Sequence, residues 1–141
     1  MPPREQAVFP ARFAALPETA AFAGAFCERN GVGRDDALRL RLVIEELFTN
    51  TIEHGLGGES DSPIRLALNL KDGAVSLLYE DSAPPYDPLA SAIAPEAEPL
   101  GTRESQAIGG LGLRLVRELS GDARYAYEEG RNRLWLTLRR R

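Results

Sequence analysis

Within the run Glu45-Glu46-Leu47-Phe48-Thr49-Asn50-Thr51-Ile52-Glu53-His54-Gly55, two side chains of chemically capable type stand four residues apart. On a helix, Glu46 and Asn50 project to the same side. The amide oxygen of Asn50 can ligate a hard cation, and a carboxylate one turn earlier can take a proton or hold a water beside it. That pairing points to metal-assisted nucleotide chemistry, provided the chain also offers a seat for phosphates. Taken singly, the same pair fits a solvated helix face at least as well.

Two further constellations could complete such a site. Ile108-Gly109-Gly110-Leu111-Gly112-Leu113 leads into a helical pattern carrying Leu113, Val116 and Leu119. Glycines at a helix start let backbone N–H groups approach a phosphate, and the helix end adds partial positive charge. The run lacks the Lys-Ser/Thr ending of a Walker A motif, follows no predicted strand as a dinucleotide fingerprint would, and also fits an ordinary helix start. In Tyr79-Glu80-Asp81-Ser82-Ala83-Pro84-Pro85-Tyr86-Asp87-Pro88, Asp81 closes a predicted strand. There it could accept a hydrogen bond from an exocyclic amine such as that of adenine, or simply open a turn before the prolines. His54 reads as a residue at the helix C-terminus, and Glu45 as a solvated neighbour of Glu46.

The elements that must position these residues follow from periodicity. Ala7 to Phe13 forms a short strand or arm. Pro17-Glu18 opens a helix whose Phe22 and Phe26 share a face and which Asn30-Gly31 closes. A second helix begins at Asp35-Asp36 and runs to His54, where Gly55 stops it. At about 100° per residue, Ala37, Leu40, Ile44, Leu47, Phe48, Thr51 and Ile52 form its apolar face. Glu46, Asn50 and Glu53 lie roughly opposite, with Arg39 nearby and Leu42 and Val43 at the border. Strands Ile64–Leu70 and Ala74–Glu80 flank the turn Lys71-Asp72-Gly73, and strands Ala123–Glu128 and Arg133–Leu138 flank Glu129-Gly130. Between them, Asp81 to Ala107 is a proline-rich loop, long enough in a compact domain to be functional or mobile. The expected class is α+β: a single-layer, mixed but mostly antiparallel sheet with helices packed on one face.

Composition bounds the rest. The 141 residues suit one domain, spanning 1–141, with a core able to fold alone. The net charge of −4 offers no electrostatic footprint for nucleic acid, and Arg139-Arg140-Arg141 reads as a solvated tail. A single cysteine, Cys27, excludes an intramolecular disulfide and reads as a packed thiol. No apolar run approaches a membrane span, Met1-Pro2-Pro3-Arg4 does not resemble a signal peptide, and a cytoplasmic location is the expectation.

Together and in this order, the three segments resemble the GHKL (Bergerat-fold) ATPases, the superfamily of gyrase B, histidine kinases and certain chaperones. The short form is similar to the bacterial anti-sigma factor serine/threonine kinases, over about Pro17 to Leu138. Glu46 and Asn50 match that family's N box, Asp81 its first glycine box, and Gly109-Gly110-Leu111-Gly112-Leu113 its second. Tyr86-Asp87-Pro88 is similar to the run that follows the adenine-site Asp there. The resemblance implies a Bergerat ATP-binding fold with ATP and Mg²⁺ as cofactors. Asn50 would coordinate Mg²⁺, Glu46 would be the general base, Asp81 would bind the adenine amine, and Gly110 and Gly112 would line the phosphate pocket. Residues 89–107 would be an ATP lid. The implied partners are a sigma factor and an antagonist protein bearing the acceptor serine or threonine, and the implied assembly is a homodimer.

Two departures qualify the match. Asp81-Ser82-Ala83 stands where the family has Asp-x-Gly, so Ala83 puts a methyl group where backbone should come close. Gly130 is followed by Arg131, where the family often has Gly-Thr. The first expectation is therefore an Mg·ATP-dependent serine/threonine kinase in a partner-switching system. The alternative is a non-catalytic partner-binding module with a degenerate nucleotide site.

Overall fold

The computed structural model describes residues 4–93, 116 and 118–138. Strand β1 (Glu5–Pro10) leads through a short 3-10 turn (Phe13–Ala15) into helix α1 (Leu16–Arg29) and helix α2 (Arg34–Asn50). Strands β2 (Pro63–Lys71) and β3 (Ala74–Asp81), a short helix α3 (Pro88–Ile93), and strands β4 (Ser120–Glu128) and β5 (Arg131–Leu138) follow. The five strands form one sheet in the order β1-β2-β3-β5-β4.

The strands lie where alternation placed them because one side of each is apolar. Ile64, Leu66 and Leu68 of β2, Val75, Leu77 and Tyr79 of β3, and Leu134, Leu136 and Leu138 of β5 are all buried. Both hairpins turn through two residues of positive φ, Asp72-Gly73 (53° and 83°) and Glu129-Gly130 (54° and 75°). That turn matches the right-handed twist of the flanking strands. Every ladder is antiparallel, so the expected mixed sheet narrows to a wholly antiparallel one among the described residues. On the outer face Glu80 pairs with Arg133 at 2.7 Å, and the Arg124 guanidinium lies 4.0 Å from the Trp135 ring centroid.

The helices pack on the opposite face. Phe26 and Cys27 of α1 and Leu40, Val43, Ile44, Leu47 and Phe48 of α2 join the inner strand residues in one core. Each such large side chain contributes about 1.5–3 kcal/mol by leaving water. Val43 is wholly buried, which corrects its placement at the border of the polar stripe, whereas Leu42 is exposed. Cys27 is the packed thiol expected, and burial raises its pKa. The first strand ends at Pro10, short of Phe13, and β4 starts at Ser120, earlier than Ala123. Val116, Glu118 and Leu119 are helical, as the glycine-led pattern predicted, and Val116 is buried in the core.

The second helix does not run unchanged to Gly55. Its α geometry ends at Asn50, and Thr51–Gly55 forms a π-helical turn. The Leu47 carbonyl there lies 3.0 Å from Thr51 Oγ1 and 3.0 Å from Tyr79 Oη, besides accepting the Thr51 backbone N–H. Crowding donors onto one carbonyl loosens the regular ladder, and the next bond, Leu56 N–H to Thr51 O at 2.8 Å, spans five residues.

Candidate functional site

The widened turn faces the end of β3, and the site is assembled there. Asp81 continues the inward alternation of Val75, Leu77 and Tyr79 to the strand's last residue, so its carboxylate enters the protein at only 8% exposure. A buried carboxylate needs donors, and it has them from three elements. Thr51 Oγ1 donates to Oδ2 at 2.8 Å; the Ala83 N–H and Asn132 Nδ2 donate to Oδ1 at 3.1 and 2.9 Å. Because the carboxylate only accepts, the single Thr51 proton goes to it, and the single Tyr79 proton is shared between Thr51 Oγ1 at 2.6 Å and the Leu47 carbonyl at 3.0 Å. Burial, reinforced by the charge of Asp81, pushes the Tyr79 phenol well above its ordinary pKa, so it stays a donor.

Asn132 is the hub of this network and went unmarked in the sequence. It is 7% exposed and sits opposite Asp81 in the β3–β5 ladder. Its Nδ2 lies within 3.0 Å of the Ala83 and Pro84 carbonyls as well as Asp81. Its Oδ1 accepts from the Tyr125 hydroxyl and, at 3.0 Å, from the Tyr86 N–H. The Tyr86 N–H is shared with Tyr125 Oη at 3.1 Å. It belongs to no local motif, yet counting back by twos from Leu138, Leu136 and Leu134 lands on Asn132 as an inward residue. A polar side chain in an inward register is the signal that could have found it.

The cavity between the π turn and these strands is about 20 Å³, lined by Leu47, Asn50, Asp81, Ala83, Tyr86 and Asn132, among others. That is room for about one water. Asn50 and Asp81, far apart in sequence, therefore meet at one cavity. Ala83 joins them, 2% exposed, its methyl packed towards Gly55, where any added Cβ would come within 3.0 Å of it. The Ala83 methyl is thus accommodated by a glycine on the facing turn.

Glu46 lies one turn of α2 before Asn50 and outside the cavity lining. It is partly buried, and desolvation, with the neighbouring charges of Glu45 and Glu53, raises its pKa above the ordinary carboxylate value. Neither Glu46 nor Asn50 has a side-chain hydrogen bond or ion pair among the described residues. Glu45 and His54 are exposed. Gly109, Gly110, Leu111, Gly112 and Leu113 lie outside the described residues, as do positions 94–107 of the expected lid; residues 89–93 belong to α3 rather than to open loop.

No group of three or more His, Cys, Asp or Glu that could hold a metal occurs among the described residues. The donor set at α2 is one amide oxygen with one carboxylate a turn away. It suits a hard cation that brings most of its own ligands, as Mg²⁺ does with water and phosphate oxygens.

A one-layer antiparallel sheet backed by helices, with a helix-borne Glu–Asn pair near a buried strand-end Asp, has the architecture of the histidine kinase-like folds. The family model described as "Histidine kinase-like ATPase domain" matches residues 9–138, and the chain belongs to that family. Its relatives include the serine-protein kinases RsbW of Listeria innocua serovar 6a and Listeria monocytogenes serotype 4a, each 29% identical over 97 residues. Those alignments cover 64% of this chain and 59% of each relative, so the chain matches little more than half of the relatives' length. Among solved structures, the RsbU and RsbW domains of a Mycobacterium tuberculosis protein superpose with a TM-score of 0.65 at 21% identity, covering 98% of this chain and 32% of that one. SiaB–SiaC from Pseudomonas aeruginosa gives 0.65 at 17% identity, covering 95% and 88%. These two likenesses show the fold.

Among the described residues, no helix is long and apolar enough to cross a membrane.

Proposed function

We propose that the chain is an Mg·ATP-dependent serine/threonine protein kinase acting in a partner-switching system. The observation that carries this reading is the uncommitted Glu46–Asn50 pair, one turn apart on α2, with Asn50 on the cavity that holds Asp81. Asn50 would hold Mg²⁺, which when bound neutralises phosphate charge; phosphoryl transfer otherwise needs mainly positioning. Glu46 would accept the proton of the acceptor hydroxyl, and a raised pKa makes it a stronger base than an ordinary carboxylate once ionised. Asp81, oriented by Thr51 and Asn132, would receive the base's exocyclic amine. Gly109 to Leu113 would cradle the phosphates and residues 89–107 would act as lid, as the resemblance implies. The same resemblance suggests a sigma factor and its antagonist as partners, a homodimeric assembly and a cytoplasmic setting. The names of the Listeria relatives support serine as acceptor.

A second reading is supported by the cavity itself. At about 20 Å³ it is too small for a purine as it stands, and Asp81 is already donated to from three directions. A binding module that sequesters a partner without nucleotide would keep such a closed site. Two measurements separate the readings: calorimetry with Mg·ATP, and incubation of the purified chain with γ-labelled ATP and host-cell lysate. The kinase reading expects heat of binding and a labelled protein band. Glu46→Ala should keep the heat and lose the band. No heat at millimolar Mg·ATP would leave the binding module; a band of equal strength with Glu46→Ala would remove Glu46 as base.

A further inference from the structure

Leu38, Leu42, Glu46 and Asn50 follow one another at four-residue spacing and so form a single row along α2. The last two belong to the candidate site. The first two are leucines left 51% and 37% exposed, whereas Leu40 and Leu47 of the same helix are fully buried. Thus α2 carries a second apolar strip, away from the core, that ends at the candidate base. Single exposed leucines are ordinary; two in line with a carboxylate of raised pKa are a surface with a direction. Arg34 and Arg41 are exposed on the same side, and neither has an ion pair among the described residues, although Asp35 and Glu45 lie near them. From Arg34 to Arg41 three arginines stand against two aspartates, whereas Glu45 to Glu53 carries three glutamates and no basic side chain, His54 lying just beyond it.

We infer that Leu38 and Leu42, flanked by Arg34 and Arg41, are the docking strip for the acceptor segment of a protein substrate, gripping apolar and acidic residues beside the hydroxyl presented to Glu46. The inference rests on the kinase reading above. At 1.5 Å per residue, Leu42 lies about 6 Å and Leu38 about 12 Å along the axis from Glu46. An extended peptide advances about 3.3 Å per residue, so the matching apolar side chains fall roughly two and four positions from the acceptor. An acidic residue about two positions beyond the Leu38 partner would reach Arg34, and one about two positions from the acceptor would reach Arg41, which is level with Leu42. Two half-exposed leucines are far too little for a stable dimer contact, which buries on the order of 1,200–2,000 Å². Anchoring a short segment is within their reach. The leucines touch no reacting atom; they set which hydroxyl reaches Glu46.

The test uses the full chain with arrays of serine- and threonine-centred peptides in which each flanking position is varied, read for both retention of fluorescent protein and incorporation of label from γ-labelled Mg·ATP. Retained peptides should carry an apolar residue about two or four positions from the centre and an acidic residue either about two positions from the centre, opposite Arg41, or about two positions beyond the Leu38 partner, opposite Arg34. Leu38→Gln with Leu42→Gln keeps helix propensity and should weaken retention roughly tenfold or more. Arg34→Glu with Arg41→Glu should shift the preference to basic flanks. Retention without either preference, retention unchanged in the glutamine variant, or no retention overturns the inference. So does loss of self-association in that variant by sedimentation, which would give the strip to a second copy. Retention with the stated preferences but no label keeps the strip and removes the kinase reading. Label without flank preference does the reverse.

Discussion

Removing the Tyr125 hydroxyl should tighten nucleotide binding rather than weaken it. In the closed cavity this hydroxyl donates to Asn132 Oδ1 and shares the Tyr86 N–H at 3.1 Å, so it helps hold the Pro84–Pro88 segment across the space a base would need. Tyr125→Phe deletes one donated bond and half of an accepted one, since the Tyr86 N–H keeps Asn132 Oδ1 at 3.0 Å. A net hydrogen bond is worth about 1 kcal/mol, so the closed state should lose about that much relative to the open one. Apparent affinity scales with the fraction of chain that is open, and 1 kcal/mol corresponds to about a fivefold change. Calorimetric titration with Mg·ATP and Mg·ADP should show Kd falling about fivefold for both, because the base is common to them. Thermal unfolding of the nucleotide-free variant should occur a few degrees earlier, since the native network has lost a bond. An unchanged or raised Kd, with the expected loss of thermal stability, would refute the latch and make Tyr125 a neutral or supporting wall of the site.

Other predictions probe the neighbouring contacts. Gly55→Ala brings a methyl to within 3.0 Å of the Ala83 Cβ and should cost about 1–3 kcal/mol in chemical denaturation; Ala83→Gly in the same chain should recover most of it, and simple additivity would exclude the contact as cause. The acid limb of the phosphorylation rate should lie above the ordinary glutamate value, because desolvation and then Glu45 and Glu53 raise the Glu46 pKa, and it should move down in Glu45→Gln and Glu53→Gln, each of which removes one of those charges. The same shift means the folded chain holds the Glu46 proton more tightly than the unfolded one. Its contribution to stability is therefore present at acid pH and disappears as pH rises through the folded pKa, a slope that Glu46→Gln should abolish in pH-dependent denaturation. Leu136→Ala, wholly buried on β5, should cost about 2–5 kcal/mol in the same assay.

What could be read in advance depended on how locally each feature is encoded. Alternation of Ile64, Leu66 and Leu68 and the Asp72-Gly73 turn are complete signals within a few residues, so the hairpins emerged at nearly the right bounds. The Glu46–Asn50 pair was legible for the same reason, because helix phase is a local property. The π turn was not, since it arises where Tyr79 from another element adds a donor to the Leu47 carbonyl. Asn132 also escaped notice, because its role exists only once β5 lies beside β3 and meets Asp81 across 51 residues of chain. Ala83 was visible as a departure, but its accommodation by Gly55 was not, as those two residues meet only through the fold. Whether the sheet was mixed or uniform could not be decided from strand patterns, which fix faces and not neighbours.

The strand order also governs when the site comes into being. β5 lies C-terminal to every other described element yet pairs with both β3 and β4. A chain emerging from a ribosome can assemble α1, α2 and the β1–β3 portion of the sheet while Asn132 is still unmade. Until the β4–β5 hairpin docks, Asp81 lacks its Asn132 donor and the Tyr86 latch has nothing to close on. Closing that long loop is a late and slow kind of step. On the proposed function, Asp81 would be held in its final orientation only in the finished fold.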